Sequence, residues 1–234
     1  MKGAYGYDFY DWTMILLIPG ILVSLWAQSR VKSTYSKFSR YASSCGLNGA
    51  QVARDLLHRE GIYDVRIETV SGELTDHYDP SSRTLRLSAG VAQSTSLAAL
   101  GVAAHETGHA LQHRDSYGPL VLRSAAVPAA NIGSRLSWPL VVAGMIFSWQ
   151  PLVTAGIVLF SLAVLFTLIT LPVEFNASKR AMAALEAGGY MRGEELGGAK
   201  SVLNAAAMTY VAAALTAVLQ LLRLLVLTGR SRDD

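Results

Sequence analysis

The chain has 234 residues, of which 51% are hydrophobic and only 16% are charged, against roughly a quarter charged in an average soluble protein. This length suits one domain with appendages, and this hydrophobic content excludes an intrinsically disordered protein. The uncharged stretches at positions 12–29, 136–173 and 201–222 comprise 18, 38 and 22 residues. As helices they would extend about 27, 57 and 33 Å, and the hydrocarbon core of a bilayer is about 30 Å thick. The composition therefore predicts a membrane protein whose partner is the lipid bilayer.

The charged residues exclude another class of partner. The formal net charge of +3 is small, and the basic residues are spread over the polar sequence without a dense stripe. Nucleic-acid-binding domains are typically marked by such a stripe, so we expect no nucleic-acid partner. The single cysteine, Cys45, cannot form an internal disulfide, which fits both a reducing compartment and a periplasmic domain without bridges.

The first uncharged stretch is predicted to be a retained transmembrane anchor within an N-terminal segment 1–29. Residues 25–27 (LWA) are bulky where a signal-peptide cleavage site needs small side chains, so we expect no cleavage. Residues 1–11 contain one basic and two acidic side chains. Four basic residues follow the stretch closely: Arg30, Lys32, Lys37 and Arg40. Because cytoplasmic flanks of spans collect Lys and Arg, the chain from residue 30 onward is predicted to face the cytoplasm.

Residues 30–135 have the character of a soluble domain on that side of the membrane. Asn48 is a candidate N-cap for a helix over 49–60. The segments 65–69 and 84–88 alternate apolar and polar side chains, which is typical of strands. We expect these two strands to pair in a small antiparallel sheet.

The second uncharged stretch, 136–173, is nearly twice as long as one span requires. A Trp-Gln-Pro sequence at 149–151 interrupts it, which predicts a transmembrane helical hairpin. Both flanks are basic, so the following segment 174–200 is predicted to return to the cytoplasm. The last segment, 201–234, contains an alanine-rich apolar helix that could span the membrane or pack against the hairpin, followed by a polar tail.

A metal-binding pattern, HETGH, lies in a helix that is predicted to begin near Ser94 or Ser96. Residues four apart in a helix project from one face, so His105 and His109 can reach one zinc ion. Glu106 then lies where it can accept a proton from a water whose pKa zinc lowers toward about 7. The pattern predicts one Zn²⁺ per chain, with Glu106 as the general base.

The third ligand is not specified by HETGH, although a catalytic zinc usually has three protein ligands. Asp115 follows His109 by six residues, but extended motifs with this spacing use a midway glycine where this chain has Gln112. His113 is two helical turns from His105, about 12 Å along the axis, which is too far for one ion. Three further carboxylates are expected to be solvated in a polar stretch: Glu186, Glu194 and Glu195.

Glu174 is the favoured third ligand. It is the first charged residue after the 38 uncharged ones, so it should emerge at the membrane surface that carries the soluble segment. Because a hairpin returns the chain to the side on which it began, Glu174 can come back to the two histidines. The alternative is a carboxylate that only marks the membrane boundary.

Several segments together resemble a known family. Residues 103–113 (AAHETGHALQH) and 172–178 (PVEFNAS), separated by the predicted hairpin, look like the YugP-type neutral zinc metallopeptidases. Residues 74–80 (LTDHYDP) and 84–88 (TLRLS) are similar to the same family, so the likeness covers almost the whole chain. The resemblance implies a bacterial cell membrane enzyme with a zincin-like catalytic domain.

More distantly the chain resembles the HtpX heat-shock protease and the CAAX prenyl endopeptidase. In these membrane gluzincins the third zinc ligand is the glutamate of an EFxAD segment, to which Glu174 corresponds. Ser178 stands where these relatives carry an aspartate that orients the first histidine. A backbone carbonyl, Asn176 or Ser178 itself is therefore expected to hold that imidazole. His77 and Tyr78, beside the predicted sheet, are candidates for contacting a ligand side chain or the substrate.

The predicted fold is a mainly α membrane protein with a small α+β zincin-like catalytic domain and three to four transmembrane helices. The predicted function is a zinc endopeptidase that hydrolyses membrane proteins or peptides at the cytoplasmic face, with Tyr190 and Tyr210 as possible hydrogen-bond donors to the transition state. The alternative is a non-proteolytic membrane protein that keeps zinc for stability or partner binding, although such a site needs no general base like Glu106. An intramembrane protease is disfavoured because Arg114 and Asp115 follow the HETGH helix at once.

Overall fold

The structure, a computed structural model, describes residues 12–73 and 75–230 of the chain. A 3₁₀ segment, Trp12–Leu17, leads directly into the first α-helix. The α-helices are α1 (Ile18–Phe38), α2 (Gly49–Arg59), α3 (Ala89–Ala92), α4 (Leu97–Arg114), α5 (Gly118–Ile146), α6 (Gln150–Ala187) and α7 (Gly193–Arg230). The strands are β1 (Arg66–Val70), β2 (His77–Asp79) and β3 (Thr84–Ser88). The described residues are therefore mainly helical with a small sheet, which confirms the predicted fold class.

Local capping determines where two of these helices begin. The side chain of Asn48 accepts a hydrogen bond from the backbone nitrogen of Gln51 at 2.9 Å, and the Gln51 side chain accepts one from the backbone nitrogen of Asn48. Ser96 accepts a hydrogen bond from the backbone nitrogen of Ala99 and caps α4. Both caps satisfy backbone donors that a helix start would otherwise leave free, so both predicted starts are confirmed.

The sheet has the strand order β1-β3-β2. β2 is antiparallel to β3, whereas β1 is parallel to β3, with Arg66 opposite Thr84. The expected antiparallel pairing of 65–69 with 84–88 is therefore wrong. The reason is β2, which was not predicted as a strand: a tight turn joins it to β3, and such a turn can only join antiparallel strands. β1 pairs with the other edge of β3, after a longer connection.

Three helical segments are long and apolar enough to cross a membrane in the part of the chain that the structure describes: Trp12–Phe38, Gln150–Ala187 and Gly193–Gly229. α7 is thus a candidate span that also packs against α1 and α6. α5 and α6 form a hairpin whose turn lies at 147–149, beside the interruption that the sequence predicted. The expectations about residues 1–11 and 231–234 lie outside the described residues.

α4 is the central helix of the molecule. One side of it packs through Ala103 and Leu111 on the core formed by α2 and the sheet. Another side packs through Leu100 and Ala104 on the core formed by α6 and α7, where Leu185 is fully buried. A helix enclosed on both sides has little freedom to shift, so its polar side chains are held in fixed positions.

Candidate metal centre

Three potential metal ligands converge where α4 crosses α6. One ligand atom from each of His105, His109 and Glu174 lies within 4.8 Å of the other two. Oε2 of Glu174 is 3.3 Å from Nε2 of His105 and 3.7 Å from Nε2 of His109. Within the described residues no other group of His, Cys, Asp or Glu side chains brings three ligand atoms so close together.

The close approach of the two helices depends on Gly108, inside HETGH. A Cβ at this position would lie closer than 3.0 Å to the backbone oxygen of Ala177 in α6. Because glycine has no Cβ, the two backbones can touch here. This contact lies between the two histidines in sequence and one turn from Glu174, so it brings the three ligand side chains together.

The amide of Gln112 fixes the imidazole of His109. Its Nε2 donates to the backbone oxygen of Val173 at 2.8 Å and to Oδ1 of Asn176 at 2.9 Å. Both amide hydrogens are then used, so Oε1 faces Nδ1 of His109, 3.0 Å away, and accepts a hydrogen bond from its N–H. In the neutral imidazole Nε2 therefore keeps a lone pair directed at Oε2 of Glu174. This is the tautomer that binds a metal ion.

Ser178 holds the other imidazole. Its Oγ pairs with Nδ1 of His105 at 3.0 Å, which leaves Nε2 facing Glu174. Of the three groups expected from the sequence to hold the first histidine, the structure brings Ser178 to it. Asn176 acts on the second histidine instead, since its Oδ1 accepts from Gln112.

The ligand set fits zinc. The side chain of Glu174 is 3% exposed, and its Oε1 is 3.8 Å from Nη1 of Arg123, beyond hydrogen-bonding distance. A buried carboxylate is costly unless cations compensate its charge. Arg123 forms an ion pair with Oε1, and a metal ion held between Oε2 and the two imidazoles would add to that compensation. Two imidazole nitrogens and one glutamate oxygen form the His₂Glu set of catalytic zinc sites.

Two cavities of about 250 Å³ each meet at this cluster. The first is bounded by α1 and α7 and has mainly apolar walls. The second lies beside β2 and α5 and contains the polar side chains of Arg123 and His77. Four residues line both cavities: Asp76, Glu106, Glu174 and Tyr210. Glu106 is therefore reachable from both sides, although only 8% of it is exposed.

Comparison with known proteins decides the family. The sequence model of a family described as "Putative neutral zinc metallopeptidase" matches residues 13–229. The chain belongs to this family. It is also 48% identical over 221 residues to the "Putative membrane protease YugP" of Bacillus subtilis (strain 168), which covers 94% of this chain and 98% of the relative. No solved structure matches the chain.

Membership of the neutral zinc metallopeptidase family confirms the resemblance inferred from the sequence. Zinc is the metal that the family description names, and the group of His105, His109 and Glu174 is suited to bind it. The three apolar helical segments and the membrane protease to which the chain is similar make it a membrane protein of this family.

The alternative ligands lie elsewhere. The carboxylate of Asp115 is paired with Arg114 and Arg180, and the hydrogen bonds from these guanidinium groups lower the pKa of Asp115. Nδ1 of His113 is 2.8 Å from the hydroxyl of Tyr78, whose pKa burial raises to about 12. The remaining carboxylates also lie outside the ligand group: Glu186, Glu194 and Glu195.

Gln112 and Arg123 contribute to the site, although the sequence did not predict a role for either of them. Gln112 follows His109 by three residues, a spacing that places both on one helical face and was the available signal. Arg123 had no signal in the sequence, because its place depends on how α5 packs. His77 lines the second cavity, where its Nδ1 is 2.9 Å from the backbone oxygen of Thr75, but it is not part of the ligand group. Tyr190 lies in the core of α6 and α7, away from the cluster.

Proposed function

We propose that this neutral zinc metallopeptidase is an endopeptidase that cleaves membrane proteins or peptides at the cytoplasmic face of a bacterial cell membrane, with Glu106 as its general base. The observation that carries the proposal is the position of Glu106. It follows a ligand candidate directly, lies outside the ligand group, and lines both cavities. A zinc site that served only stability would need no carboxylate reachable from two cavities.

Different side chains would bind the metal ion, orient its ligands and transfer the proton. His105, His109 and Glu174 would hold the zinc ion, with Ser178 and Gln112 fixing the two imidazoles. When bound, zinc polarises the scissile carbonyl and lowers the pKa of water to about 7. Glu106 accepts a proton from the attacking water and passes it to the leaving amine.

The proposed topology follows from the charge distribution. Segment 1–29 anchors the chain, 136–173 forms the hairpin, and 30–135 and 174–200 share the cytoplasmic side because basic residues flank the apolar stretches. The C-terminal segment 201–234 carries the third candidate span.

Labelling of single cysteines from outside the cell tests this topology. After replacement of Cys45, the variants Ser36→Cys and Ala187→Cys place thiols at exposed positions on the two proposed cytoplasmic segments. Neither should react with an impermeant reagent until the membrane is opened. Ready reaction of either position in intact cells would contradict the proposed orientation.

The variant Glu106→Gln tests the catalytic proposal. The amide has about the same size but cannot accept a proton, so hydrolysis of an unfolded membrane-protein substrate should fall about 10³-fold or more, while zinc content stays at one per chain. The control is Glu194→Gln, which removes an exposed carboxylate in the first turn of α7 and should leave hydrolysis unchanged. Hydrolysis within about tenfold of wild type in Glu106→Gln, about 1.4 kcal/mol in barrier height, would contradict the role of Glu106 and leave the non-proteolytic alternative standing.

A further inference from the structure

A third cavity lies between α6 and α7, outside the metal centre. Its volume is about 380 Å³. Its walls combine apolar and charged side chains: Phe175, Met182 and Leu203 with Lys179, Lys200 and Glu186. We call this cavity the α6–α7 groove.

The two lysines of the groove lie at one level of the adjoining spans. Lys179 precedes the C-terminal end of α6 by eight residues, and Lys200 follows the first residue of α7 by seven. At about 1.5 Å per residue, both lie roughly 11 to 12 Å from the connection between the helices. Lys200 also directly precedes the 22 uncharged residues of α7. Such positions place lysine ammonium groups at the height of lipid headgroups.

The positive charges of Lys179 and Lys200 are not neutralised by nearby carboxylates among the described residues. Both are exposed, and within the described residues neither forms an ion pair at 4.0 Å or less. Glu186 lines the groove too, but it lies seven residues beyond Lys179, about 10 Å farther from the apolar part of α6. The groove is therefore positively charged beside the apolar stretches of α6 and α7. Its acidic end, at Glu186, lies near the connection between the two helices, away from the bilayer core.

We propose that the α6–α7 groove binds one anionic phospholipid. Its phosphate lies between Lys179 and Lys200, and one acyl chain lies along the ring of Phe175. Phe175 is 44% exposed, so an apolar ring is open to an acyl chain beside the lysines. Basic pockets between membrane helices are suited to anionic headgroups, to which each nearby lysine contributes attraction.

The bound lipid would lie next to the metal centre. Ser178 and Leu203 line both the α6–α7 groove and the apolar cavity beside Glu106. Ser178 also pairs with His105. The lipid site therefore adjoins the apolar cavity that leads to Glu106.

Native mass spectrometry of the full chain tests this binding without any use of proteolysis. The protein, released from a non-ionic detergent, is titrated with phosphatidylglycerol and, separately, with phosphatidylcholine of the same acyl chains. We expect one phosphatidylglycerol per chain, held at least about tenfold more tightly than phosphatidylcholine. Excess inorganic phosphate should not displace it, because the acyl chain contributes to binding; displacement by phosphate would indicate an ion site and overturn the lipid assignment.

Charge-removing variants locate the site. The double variant Lys179→Gln and Lys200→Gln should weaken phosphatidylglycerol binding about 30-fold, since two lysines are lost. The matched control is Lys32→Gln and Lys37→Gln, which removes two exposed lysines near the end of α1 that line none of the three cavities described. A loss as large in the control as in the groove variant would show diffuse attraction and overturn the proposal.

A filling variant tests the groove itself while both lysines remain. Asn204 is exposed and lines the groove, so Asn204→Trp should displace the acyl chain and weaken phosphatidylglycerol binding about tenfold or more. Ser201→Trp adds the same ring at an exposed position of α7 that does not line the groove, and should have no such effect. Unchanged lipid binding in Asn204→Trp, or equal affinity of the wild type for the two lipids, would overturn the proposal.

Discussion

α6 packs closely against α4 and against α5, and a glycine permits the close approach at each contact. Toward its C-terminal end it touches α4, where Gly108 meets the backbone of Ala177. Nearer its N-terminal end it touches α5, where a Cβ on Gly133 would likewise lie closer than 3.0 Å to the backbone oxygen of Leu159. Glycine therefore permits backbone contact in both places, as is common between membrane helices.

The two contacts differ in their polar side chains. At the α4–α6 contact Gln112 and Ser178 are hydrogen-bonded and direct two imidazoles inward. At the α5–α6 contact Ser137 is buried, and its hydroxyl has no hydrogen-bond partner among the described residues. A satisfied polar network orients chemical groups, whereas a buried hydroxyl without a partner orients nothing and costs stability. The hydrogen bonds, and not the glycine, therefore distinguish the contact that holds the metal ligands.

Adding a methyl group at either glycine should disturb its helix pair strongly. Gly108→Ala and Gly133→Ala both force a helix pair apart, and each should lower the free energy of unfolding by about 1 to 3 kcal/mol. Only Gly108→Ala should also weaken zinc binding, because it separates the histidines from Glu174. The measurements are thermal unfolding in detergent and zinc affinity by competition with a chelator. Equal zinc affinities in the two variants would remove the distinction between the contacts.

The polar side chains of the two contacts should also respond differently to substitution. Gln112→Leu removes the acceptor that holds Nδ1 of His109, and it leaves the backbone oxygen of Val173 without its donor. Zinc affinity should fall about 10- to 100-fold. Ser137→Ala, at the other contact, should leave zinc affinity unchanged and stability equal or slightly higher, because it removes an unsatisfied hydroxyl. Zinc affinity within twofold of wild type in Gln112→Leu would refute the role assigned to this amide.

An ion pair at the edge of the α4–α6 contact joins Asp115, just after the end of α4, to Arg180 of α6. The folded-state pKa of Asp115 lies below its ordinary value, so the pair stabilises the fold above that value and the contribution is lost as the pH falls. Because Asp115 is exposed, Asp115→Asn should cost less than about 1 kcal/mol at pH 7. The difference from wild type should shrink as the pH falls below about 4 and vanish below the lowered pKa of Asp115, as pH-dependent thermal unfolding can show. A difference that persisted at low pH would mean that the charge is not its source.

Features that depend on neighbouring residues in the chain could be predicted from the sequence. The starts of α2 and α4 follow from side chains that cap their own helices, Asn48 and Ser96. The pairing of His105 with His109 follows from helical periodicity alone. The candidate spans contain the three uncharged stretches in part or whole, but within the described residues α5, the first arm of the predicted hairpin, is not among them.

Features that depend on distant packing could not be predicted in the same way. The parallel pairing of β1 follows from the presence of β2, a three-residue strand with little sequence signal. The role of Gln112 requires α6 to present Val173 and Asn176 to it, more than 60 residues along the chain. Arg123 approaches Glu174 only because α5 packs along α6.

The zinc content of a Glu174 variant shows whether this carboxylate is a metal ligand. Purified wild type should contain one zinc per chain, and Glu174→Gln, which keeps the size of the side chain, should lose zinc or bind it at least about 100-fold more weakly. The control Glu186→Gln makes the same substitution at an exposed position farther along α6 and should retain one zinc per chain. Thermal unfolding should show that both variants are folded. One tightly bound zinc per chain in folded Glu174→Gln, with the affinity of wild type, would contradict the metal centre at the contact of α4 with α6.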